Sequence, residues 1–449
     1  MATTVPELVG FSGRVVPEGD PGYDESRAVW NAMIDKRPAL VAHCTNAADV
    51  AAALVYARER ALVVAVRGGG HNIAGLSTCD GGIVIDLSEM KAIEVDPEAR
   101  TVRAEPGLRW VEFDAATQEH ALATTGGTVG DTGIAGLTLG GGFGWLCGKY
   151  GMTIDNLLSA EVVTADGRVL TASADENPDL FWALRGGSGN FGVVTSFVYR
   201  LHPVGPVITG GGVFHHVEDA PEVLRFYRDF AANAPDEITT YCGFLPGPHG
   251  PVIAIAAAHC GSLEDGEQAL AQLKAFGSPV HDAVGPIPYV KQQSLLDELL
   301  PLGVHNYWKA EYVDGLSDGV IEAMCGAYAR VPSPRSIVLF IPVNGAASRV
   351  APDATAFPHR DPRLVGVGIY SVWSDPSDAP ANLAWTRETW DALQPFSTGG
   401  VYVNDVADDE GEDRARAAYG SNYDRLARIK AEYDPDNVFR LNSNIRPAA

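Results

Sequence analysis

Glycine-rich segments beside apolar β-like runs constrain the fold of this 449-residue chain more than any other feature. Three of them occur, at 68–70 (within AVRGGGHNIAG), 126–144 and 186–192. Glycine has no Cβ, so a strand that ends in glycines brings bare backbone close to another segment or to a ligand. Backbone N–H groups exposed in this way bind phosphate oxygens without the help of a helix. The three segments together predict one long, extended ligand that lies across several loops.

Neither of the common phosphate-binding motifs explains these glycines. GSGNFG at 187–192 has the Rossmann spacing, but a helix precedes it and the β-rich VVTSFVY follows, which reverses the order that the motif requires. GGGFGWLCGKY at 140–150 is not a P-loop, because Tyr150 stands where Ser or Thr is needed and Phe143 replaces the first glycine. An extended dinucleotide held by loops, such as FAD, is the remaining candidate.

Composition predicts a soluble protein of two domains without nucleic-acid or membrane partners. The apolar fraction is 46% and the mean hydropathy is −0.01, which is ordinary for a globular chain. No membrane span and no secretion leader are recognisable, so we expect a cytoplasmic protein. The net charge of −24 argues against nucleic acid and acidic membranes as partners. Six cysteines without metal-like spacing are expected to be reduced thiols, and no metal site is expected. The oligomeric state is left open.

Four segments occur in an order and spacing that together carry a family resemblance. They are RGGGHN at 67–72, TVGDTGIAGLTLGGGFGWLCGKYGMTIDNL at 128–157, LFWALRGGSGNFGVVTSF at 180–197 and NYDRLARIKAEYDPDNVFRLNSNI at 422–445. They resemble the berberine-bridge-enzyme-like oxidases of the vanillyl-alcohol-oxidase/p-cresol-methylhydroxylase superfamily of flavoproteins. The pattern is nearest to the bacterial 6-hydroxy-D-nicotine-oxidase-like members. The resemblance is close over the first 200 and last 50 residues and loose between them.

The resemblance implies an α+β flavoprotein of two domains. Residues 1–203 would form a p-cresol-methylhydroxylase-type FAD-binding domain, which the segment 400–449 completes. Residues 204–399 would form a substrate-binding domain, an antiparallel sheet backed by helices. The proline-bearing HPVGPV at 202–207 marks the boundary between the two patterns.

The resemblance also implies how the flavin is held. His71, the histidine of RGGGHN, would bond covalently to the 8α-methyl of FAD, a role that neutral imidazole on a loop can fill. Many relatives have a second, cysteinyl tether at the position of Val129, so a single covalent link is expected here, with Cys147 a buried structural thiol. An alternative role for Arg67 is a structural salt bridge. The expected cofactor contacts are Arg67, Gly68, Gly69, Gly70, Asn72, Val129, Gly130, Thr132, Gly133, Gly136, Asn156, Val162, Gly192, Val193, Asn442 and Asn444.

In this family the flavin takes a hydride from a C–H next to O or N of a small organic substrate, and O2 reoxidises the flavin and yields H2O2. We expect a catalytic base in VYVND at 401–405, either Tyr402 with a lowered pKa or Asp405 with a pKa raised by burial. In NYWKAEY, alternate residues share one face. Tyr307 and Lys309 are expected to face the substrate, and Glu311 is expected to be solvated.

Three other functions share some of these motifs. A flavin-dependent dehydrogenase that passes electrons to an acceptor other than O2 would share all of them. A peptidoglycan-type reductase that uses NADPH has no need of a tethering histidine, so His71 argues against it. A non-catalytic flavin carrier would give no peroxide with any substrate.

Overall fold

Two larger β-sheets, a two-stranded sheet of Leu122–Ala123 and His202–Pro203, and short connecting helices form the first half of the chain in a computed structural model, which describes residues 6–449. The helices are α1 (Tyr23–Arg27), α2 (Ala47–Glu59), α3 (Trp110–Gln118), α4 (Ile134–Gly140), α5 (Cys147–Tyr150) and α6 (Pro178–Leu184). The strands are β1 (Arg14–Pro17), β2 (Leu40–His43), β3 (Val64–Arg67), β4 (Ile83–Asp86), β5 (Ile93–Asp96), β6 (Thr101–Ala104), β7 (Leu122–Ala123), β8 (Leu157–Val163), β9 (Val169–Ser173), β10 (Val193–Arg200) and β11 (His202–Pro203).

Strand pairing in this half follows the hydrophobic pattern. The first sheet has the order β1-β2-β4-β3, and its parallel strands β2, β3 and β4 are apolar runs buried under α2. Helix α2 begins where Asn46 accepts a hydrogen bond from the Asp49 N–H, as the sequence predicts for a cap. The second sheet has the order β5-β6-β10-β8-β9 and is antiparallel. Its β8–β9 hairpin turns at Asp166-Gly167, with Gly167 at φ +84°, which confirms the predicted turn.

The second half of the chain forms one eight-stranded antiparallel sheet, with the order β15-β12-β14-β13-β18-β19-β17 and β16 paired to β12. Helices α7, α8, α10 and α12 pack on one face of this sheet around a shared apolar core. The strands are β12 (Val207–His216), β13 (Ile238–Leu245), β14 (Val252–His259), β15 (His281–Asp282), β16 (Gly285–Pro288), β17 (His305–Asp314), β18 (Ile337–Pro342) and β19 (Leu364–Trp373). The helices are α7 (Ala220–Asn233), α8 (Leu263–Ala275), α9 (Tyr289–Gln293), α10 (Asp318–Tyr328), α11 (Gly345–Arg349) and α12 (Ala379–Leu393).

The end of the chain returns to the first half. Helices α13 (Gly411–Tyr419) and α14 (Tyr423–Tyr433) share a core with α6 and β10. On α14, Lys430 and Asp434 form an ion pair (2.6 Å) whose side chains are both fully buried. The Lys430 ammonium also donates to the carbonyl of Asn190 (2.6 Å), inside the third glycine-rich segment. The carboxyl-terminal segment is therefore bonded directly to a glycine loop that the sequence associates with the cofactor.

Hydrogen bonds from Asn31 and Trp30, near the amino terminus, connect the first half of the chain to the second half. The Asn31 amide donates to the Asn306 carbonyl (2.8 Å) and accepts from the Asn306 N–H (3.0 Å), so it pairs with β17 as another strand would. The preceding residue, Trp30, is buried beside it and donates its indole N–H to the Leu300 carbonyl (3.1 Å). Across residues 6–449, none of the helices has the length and apolar character that a membrane crossing requires.

Candidate active site

The first two glycine segments touch each other backbone to backbone. A Cβ added at Gly69 would lie only 2.5 Å from the amide nitrogen of Gly133, where α4 begins. A Cβ at Gly140, where α4 ends, would lie 2.1 Å from the Asn404 amide oxygen. Between these crowded ends, a Cβ at Gly136 would meet no protein atom within 4 Å. The structure therefore joins the RGGGHN loop to the YVND segment through α4 and leaves the middle of α4 open on one side.

The third glycine segment meets the carboxyl-terminal tail. A Cβ at Gly189 would lie 3.0 Å from the Asn442 side-chain oxygen, and the Asn190 amide oxygen accepts from the Ile445 N–H (3.0 Å). Asn444 presents a buried side-chain oxygen to which the described residues offer no hydrogen bond. The buried hydroxyls of Ser77 and Thr78, which follow the RGGGHN loop, also have no hydrogen-bond partner among the described residues. Buried polar atoms normally have partners, and the many donors and acceptors of FAD fit this set.

His71 lies on the loop after β3 with its ring almost covered. Its Nε2 lies 3.2 Å from an Asp131 carboxylate oxygen, and its ring stacks on Trp30 with centroids 4.9 Å apart and planes 18° from parallel. Burial, with the nearby Arg109 cation, lowers the pKa of His71 to about 4. At neutral pH the imidazole is uncharged, so the nitrogen that does not bond Asp131 has its lone pair free.

A narrow cavity of about 20 Å³ lies between the glycine loops and the eight-stranded sheet. Phe143, Tyr312 and Tyr402 contribute aromatic rings to its wall, and the glycines of β19 contribute no side chains. Asp405 supplies a carboxyl group to the cavity, whose lining residues are Phe143, Ala310, Glu311, Tyr312, Ile341, Gly366, Val367, Gly368, Tyr402 and Asp405. A mostly apolar wall with a few polar groups is typical of small-molecule sites.

Tyr402 and Asp405 border this cavity in different chemical states. The Tyr402 hydroxyl accepts hydrogen bonds from the Gly142 N–H (2.9 Å) and the Asn404 amide (2.8 Å), which fixes its position. Burial nevertheless raises the pKa of Tyr402, so the phenol is protonated at neutral pH. Burial raises the pKa of Asp405 to about 7, and the Tyr370 hydroxyl lies 3.5 Å from its carboxylate. Of the two, Asp405 has the pKa suited to a base near neutral pH.

The expected positions of Tyr307 and Lys309 need correction. Both side chains lie on the face of β17 that α12 covers, where the Tyr307 hydroxyl donates to Asp409 (2.7 Å) and the Lys309 ammonium lies 3.4 Å from Glu410. The alternation along β17 is as predicted, but the opposite set, including Ala310 and Tyr312, faces the cavity. A charged network on the covered face, rather than substrate, therefore satisfies these two polar groups.

The expectation that Glu311 is solvated is wrong. Its side chain is fully buried and pairs with Arg414 (3.1 Å). Arg414 in turn binds Glu410 (2.8 Å). Sequence alternation does not reveal that the segment after residue 405 folds back over this face and supplies the countercharges.

Arg67 and Asn156 are also corrected. The Arg67 guanidinium forms a buried ion pair with Asp86 on the adjacent parallel strand and donates to the carbonyls of Ser26 and Ala28, so the salt-bridge alternative holds. The Asn156 amide donates to the carbonyls of Tyr150 (2.9 Å) and Met152 (3.0 Å), and its oxygen bonds His202 (2.7 Å). Neither side chain keeps a polar group free for a cofactor.

The other expected cofactor residues lie around the same loops. Gly70 has a positive φ of +71°, and Gly192 has one of +155°. The Gly130 N–H is bonded to Asp297 (2.7 Å), a residue of the second half, and is not free for phosphate. The segment from Val129 forms a turn that Thr132 N–H closes on the Val129 carbonyl (3.1 Å). The remaining positions are mixed in exposure: Gly68 and Asn442 are half-buried, Asn72 is exposed, and Val162 and Val193 are buried.

Two expectations about cysteine and metal chemistry concern the same region. Cys147 is a buried free thiol whose sulfur accepts the Gly144 N–H (3.2 Å), and burial raises its pKa to about 12. It is a structural thiol, as predicted. The part of the chain that the structure describes contains no group of three or more His, Cys, Asp or Glu side chains arranged to hold a metal ion.

Sequence reasoning missed several residues of the site. Trp30 lies outside every motif, and nothing in its neighbourhood indicates that it stacks on His71. Asp131 is inside the second motif, but the motif does not show that its carboxylate reaches His71. Trp308 and Tyr370, whose rings lie 4.5 Å apart, continue the aromatic wall from Trp30 toward Asp405. The other phase of the β17 alternation would have identified Trp308.

The glycine loops, the buried His71 ring and the cavity beside them fit an FAD-dependent oxidoreductase. Known proteins agree. Residues 38–173 match the model of an FAD binding domain, and residues 401–446 match the model described as berberine and berberine like.

The most informative relatives span the whole chain. An FAD-linked oxidoreductase of Dictyostelium discoideum is 32% identical over 442 residues, which cover 97% of this chain and 95% of the relative. (R)-6-Hydroxynicotine oxidase of Paenarthrobacter nicotinovorans is 30% identical over 465 residues, covering 100% and 99%. The crystal structure of 6-hydroxy-D-nicotine oxidase from Arthrobacter nicotinovorans matches with a TM-score of 0.90 at 30% identity over 100% of both chains. This chain therefore belongs to the berberine-bridge-enzyme-like family of FAD-linked oxidoreductases, which confirms the predicted family and fold class.

Proposed function

We propose that this protein is an FAD-linked oxidase that removes a hydride from a C–H next to O or N of a small organic substrate and reduces O2 to H2O2. The observation that carries the proposal is the position of Asp405, whose pKa of about 7 places a usable base on the wall of a small aromatic cavity beside the glycine loops. We also propose that residues 1–203 and 400–449 form one FAD domain and 204–399 the substrate domain; residues 1–5 lie outside the described part.

Each residue of the cavity has a separate task in this proposal. Bound FAD supplies the two-electron acceptor. The Asp405 carboxylate accepts the proton of the substrate N–H or O–H. Tyr402, held by the Gly142 N–H and Asn404, orients the reacting group without ionising. Phe143 and Tyr312 exclude water from the reacting atoms. His71 holds FAD by one 8α-histidyl bond.

The cavity favours a ring-bearing substrate of modest size. Its wall includes the rings of Phe143, Tyr312 and Tyr402, and aromatic rings of this kind stack on flat rings. One relative is named for the oxidation of 6-hydroxynicotine. We propose a small cyclic amine or alcohol as the substrate of this chain.

We also propose a cytoplasmic location, with which the six free cysteines are consistent.

A peroxide-coupled screen of the purified yellow protein tests this function. Cyclic amines, benzylic alcohols, phenols and oligosaccharides are offered as separate groups, with the Asp405→Asn variant as the matched control. We expect peroxide from one of the first two groups and a loss of about a hundredfold or more in the variant. Absence of peroxide and of anaerobic flavin bleaching with every group would contradict the proposal.

Stopped-flow mixing of the reduced protein with O2 separates the oxidase from the dehydrogenase alternative. An oxidase reoxidises rapidly with formation of peroxide. Bleaching by a substrate followed by slow reoxidation, with rapid reoxidation by a quinone dye, would instead establish a flavin-dependent dehydrogenase that uses an acceptor other than O2.

A further inference from the structure

The His71 ring is held on more than one side by side chains that no cofactor motif includes. Trp30 stacks on one face of the ring at 4.9 Å, and Trp30 is itself buried and pinned through its indole N–H. At the ring edge, Nε2 lies 3.2 Å from the Asp131 carboxylate. The position and rotation of the imidazole are therefore set by packing and by one polar contact.

The contact with Asp131 distinguishes the two ring nitrogens. A neutral imidazole has one N–H donor and one lone pair, and the hydrogen bond of one nitrogen decides which is which. A carboxylate can only accept, so the proton lies on Nε2 and the lone pair lies on Nδ1. The depressed pKa of His71, about 4, agrees with a neutral ring at physiological pH.

We propose that Asp131 is the positioning residue for covalent attachment of FAD to His71: it holds the proton on Nε2, presents Nδ1 as the nucleophile, and accepts the Nε2 proton once Nδ1 is bonded. This inference rests on the tether in the proposed function. The new bond joins Nδ1 to the 8α carbon. One C–H and one N–H bond are lost, and two protons and two electrons are released in total. Bound FAD would supply the two-electron acceptor and O2 the final oxidant, so each link formed would consume one O2 and yield one H2O2.

Two other charged groups face the same ring. Arg109, the residue immediately before α3, pairs with Asp131 and lowers the pKa of His71. Asp297, on the segment between α9 and β17, acts on His71 through space, but its carboxylate accepts the Gly130 N–H at 2.7 Å. Asp297 is therefore a near neighbour of the same charge that is committed to another donor, which makes it the matched control for Asp131.

The experiment measures how fast FAD becomes covalent. Apoprotein of the full chain is produced in riboflavin-starved cells and mixed with FAD under air, and samples are acid-precipitated over time for flavin fluorescence in the protein band. We expect Asp131→Asn to slow covalent incorporation by about tenfold or more, since the amide binds the proton less well. Asp131→Glu should recover part of the rate. Asp297→Asn should stay within about twofold of the wild type.

Separate readouts distinguish positioning from a general structural defect. The thermal midpoint and the initial, reversible binding of FAD, followed by flavin fluorescence quenching, should be unchanged in Asp131→Asn. Arg109→Gln removes the ion pair but leaves the carboxylate on His71, so its incorporation rate should be equal to or above that of the wild type.

Three results would overturn the inference. Equal rates of covalent FAD incorporation in the wild type and Asp131→Asn overturn the role of Asp131 but leave the proposed His71 tether standing. An equal slowing in Arg109→Gln and Asp131→Asn assigns the effect to the ion pair rather than to the contact with His71. A wild-type protein that releases all of its flavin on precipitation overturns the proposed tether and this inference together. None of these readouts requires a substrate, so failure to find oxidase activity is a separate outcome.

Discussion

Asp405 is placed where its ionisation should control the rate of flavin reduction. Its pKa is raised to about 7 by burial, with Glu410 adding negative charge nearby. A base must be unprotonated to act, and the raised pKa means that protonation removes the base as the pH falls through 7. Tyr402, whose pKa is raised beyond the ordinary value for a phenol, stays protonated over the same range.

We therefore expect anaerobic flavin reduction by substrate to rise about tenfold per pH unit up to about pH 7 and then level off. Stopped-flow spectroscopy with a substrate that does not titrate in this range measures the profile. Asp405→Asn should lower the plateau by about a hundredfold or more and flatten the profile. Tyr402→Phe should keep the profile, since it removes an orienting hydroxyl and not the titrating group. A flat wild-type profile would assign the base elsewhere.

Individual residues show where sequence reasoning succeeds and where it stops. Asp405 and Tyr402 both border the cavity, because a short local motif keeps its residues together, and their catalytic roles stay predictions. Sequence reasoning failed for Tyr307 and Lys309, because alternation defines two faces of a strand but not which one a distant helix covers. Arg67 found its partner, Asp86, on a strand that is adjacent only after the parallel sheet forms.

Helix α4 is the element that connects the RGGGHN loop to the cavity, and Gly136 is the position on it where an added Cβ meets no protein atom. Gly136→Ala should keep the apoprotein as stable or raise its stability by about 0.5–1 kcal/mol, because alanine favours helix and no protein atom opposes the added methyl. If FAD lies along this face, the same methyl should weaken FAD binding by about tenfold or more. Measuring both in a His71→Ala background keeps binding reversible.

The matched control for that substitution is Gly326→Ala. Gly326 is also on a helix, α10, with no protein atom near an added Cβ, but it lies in the second half away from the glycine loops. It should gain similar stability and leave FAD affinity unchanged. Equal FAD affinity in Gly136→Ala and the parent would place the cofactor away from α4.

The buried ion pair between Lys430 and Asp434, at the end of α14, stabilises the third glycine loop through the bond from Lys430 to the Asn190 carbonyl. Lys430→Met leaves the Asp434 carboxylate buried without its cation, which should lower the free energy of unfolding by about 3–5 kcal/mol. Urea unfolding of the FAD-loaded protein measures the change. Lys91→Met, which breaks an exposed pair with Glu112, should cost less than about 1 kcal/mol. Similar decreases in the free energy of unfolding for both substitutions would show that breaking the buried Lys430–Asp434 pair costs no more than breaking an exposed pair.

The elements themselves follow well from sequence. The β8–β9 hairpin, the capped helix α2 and the helix α14 are local features, each determined by a turn, a cap or a 3.6-residue apolar spacing. Strand order is not local. The sequence contains no signal that would place β3 at the edge of its four-stranded sheet or β17 at the edge of the eight-stranded sheet. Pairing between distant strands depends on packing that single segments do not encode.

At the scale of the whole molecule, the net charge of −24 is the dominant electrostatic property. Mutual repulsion of this size opposes the compact state, and salt screens it. Raising NaCl from about 10 mM to about 0.5 M at neutral pH should therefore raise the thermal midpoint by several degrees. Scanning calorimetry or fluorimetry gives the shift. Near pH 5, close to the sequence pI of about 4.7, the same salt step should have little effect. A midpoint that falls with salt at neutral pH would contradict the expectation.

The bonds from Lys430 and Ile445 to Asn190 have a consequence for the order in which the molecule is made. A ribosome releases the glycine loop around Asn190 long before it releases its partners, because about 240 residues, which include the whole eight-stranded sheet, separate Asn190 from Lys430. At about 5–20 residues per second, this delay lasts roughly 10–50 s. During translation, the loop around Asn190 therefore waits without these two contacts until the second half of the chain has emerged. Its closure by the carboxyl-terminal segment is a late event in the synthesis of each new chain.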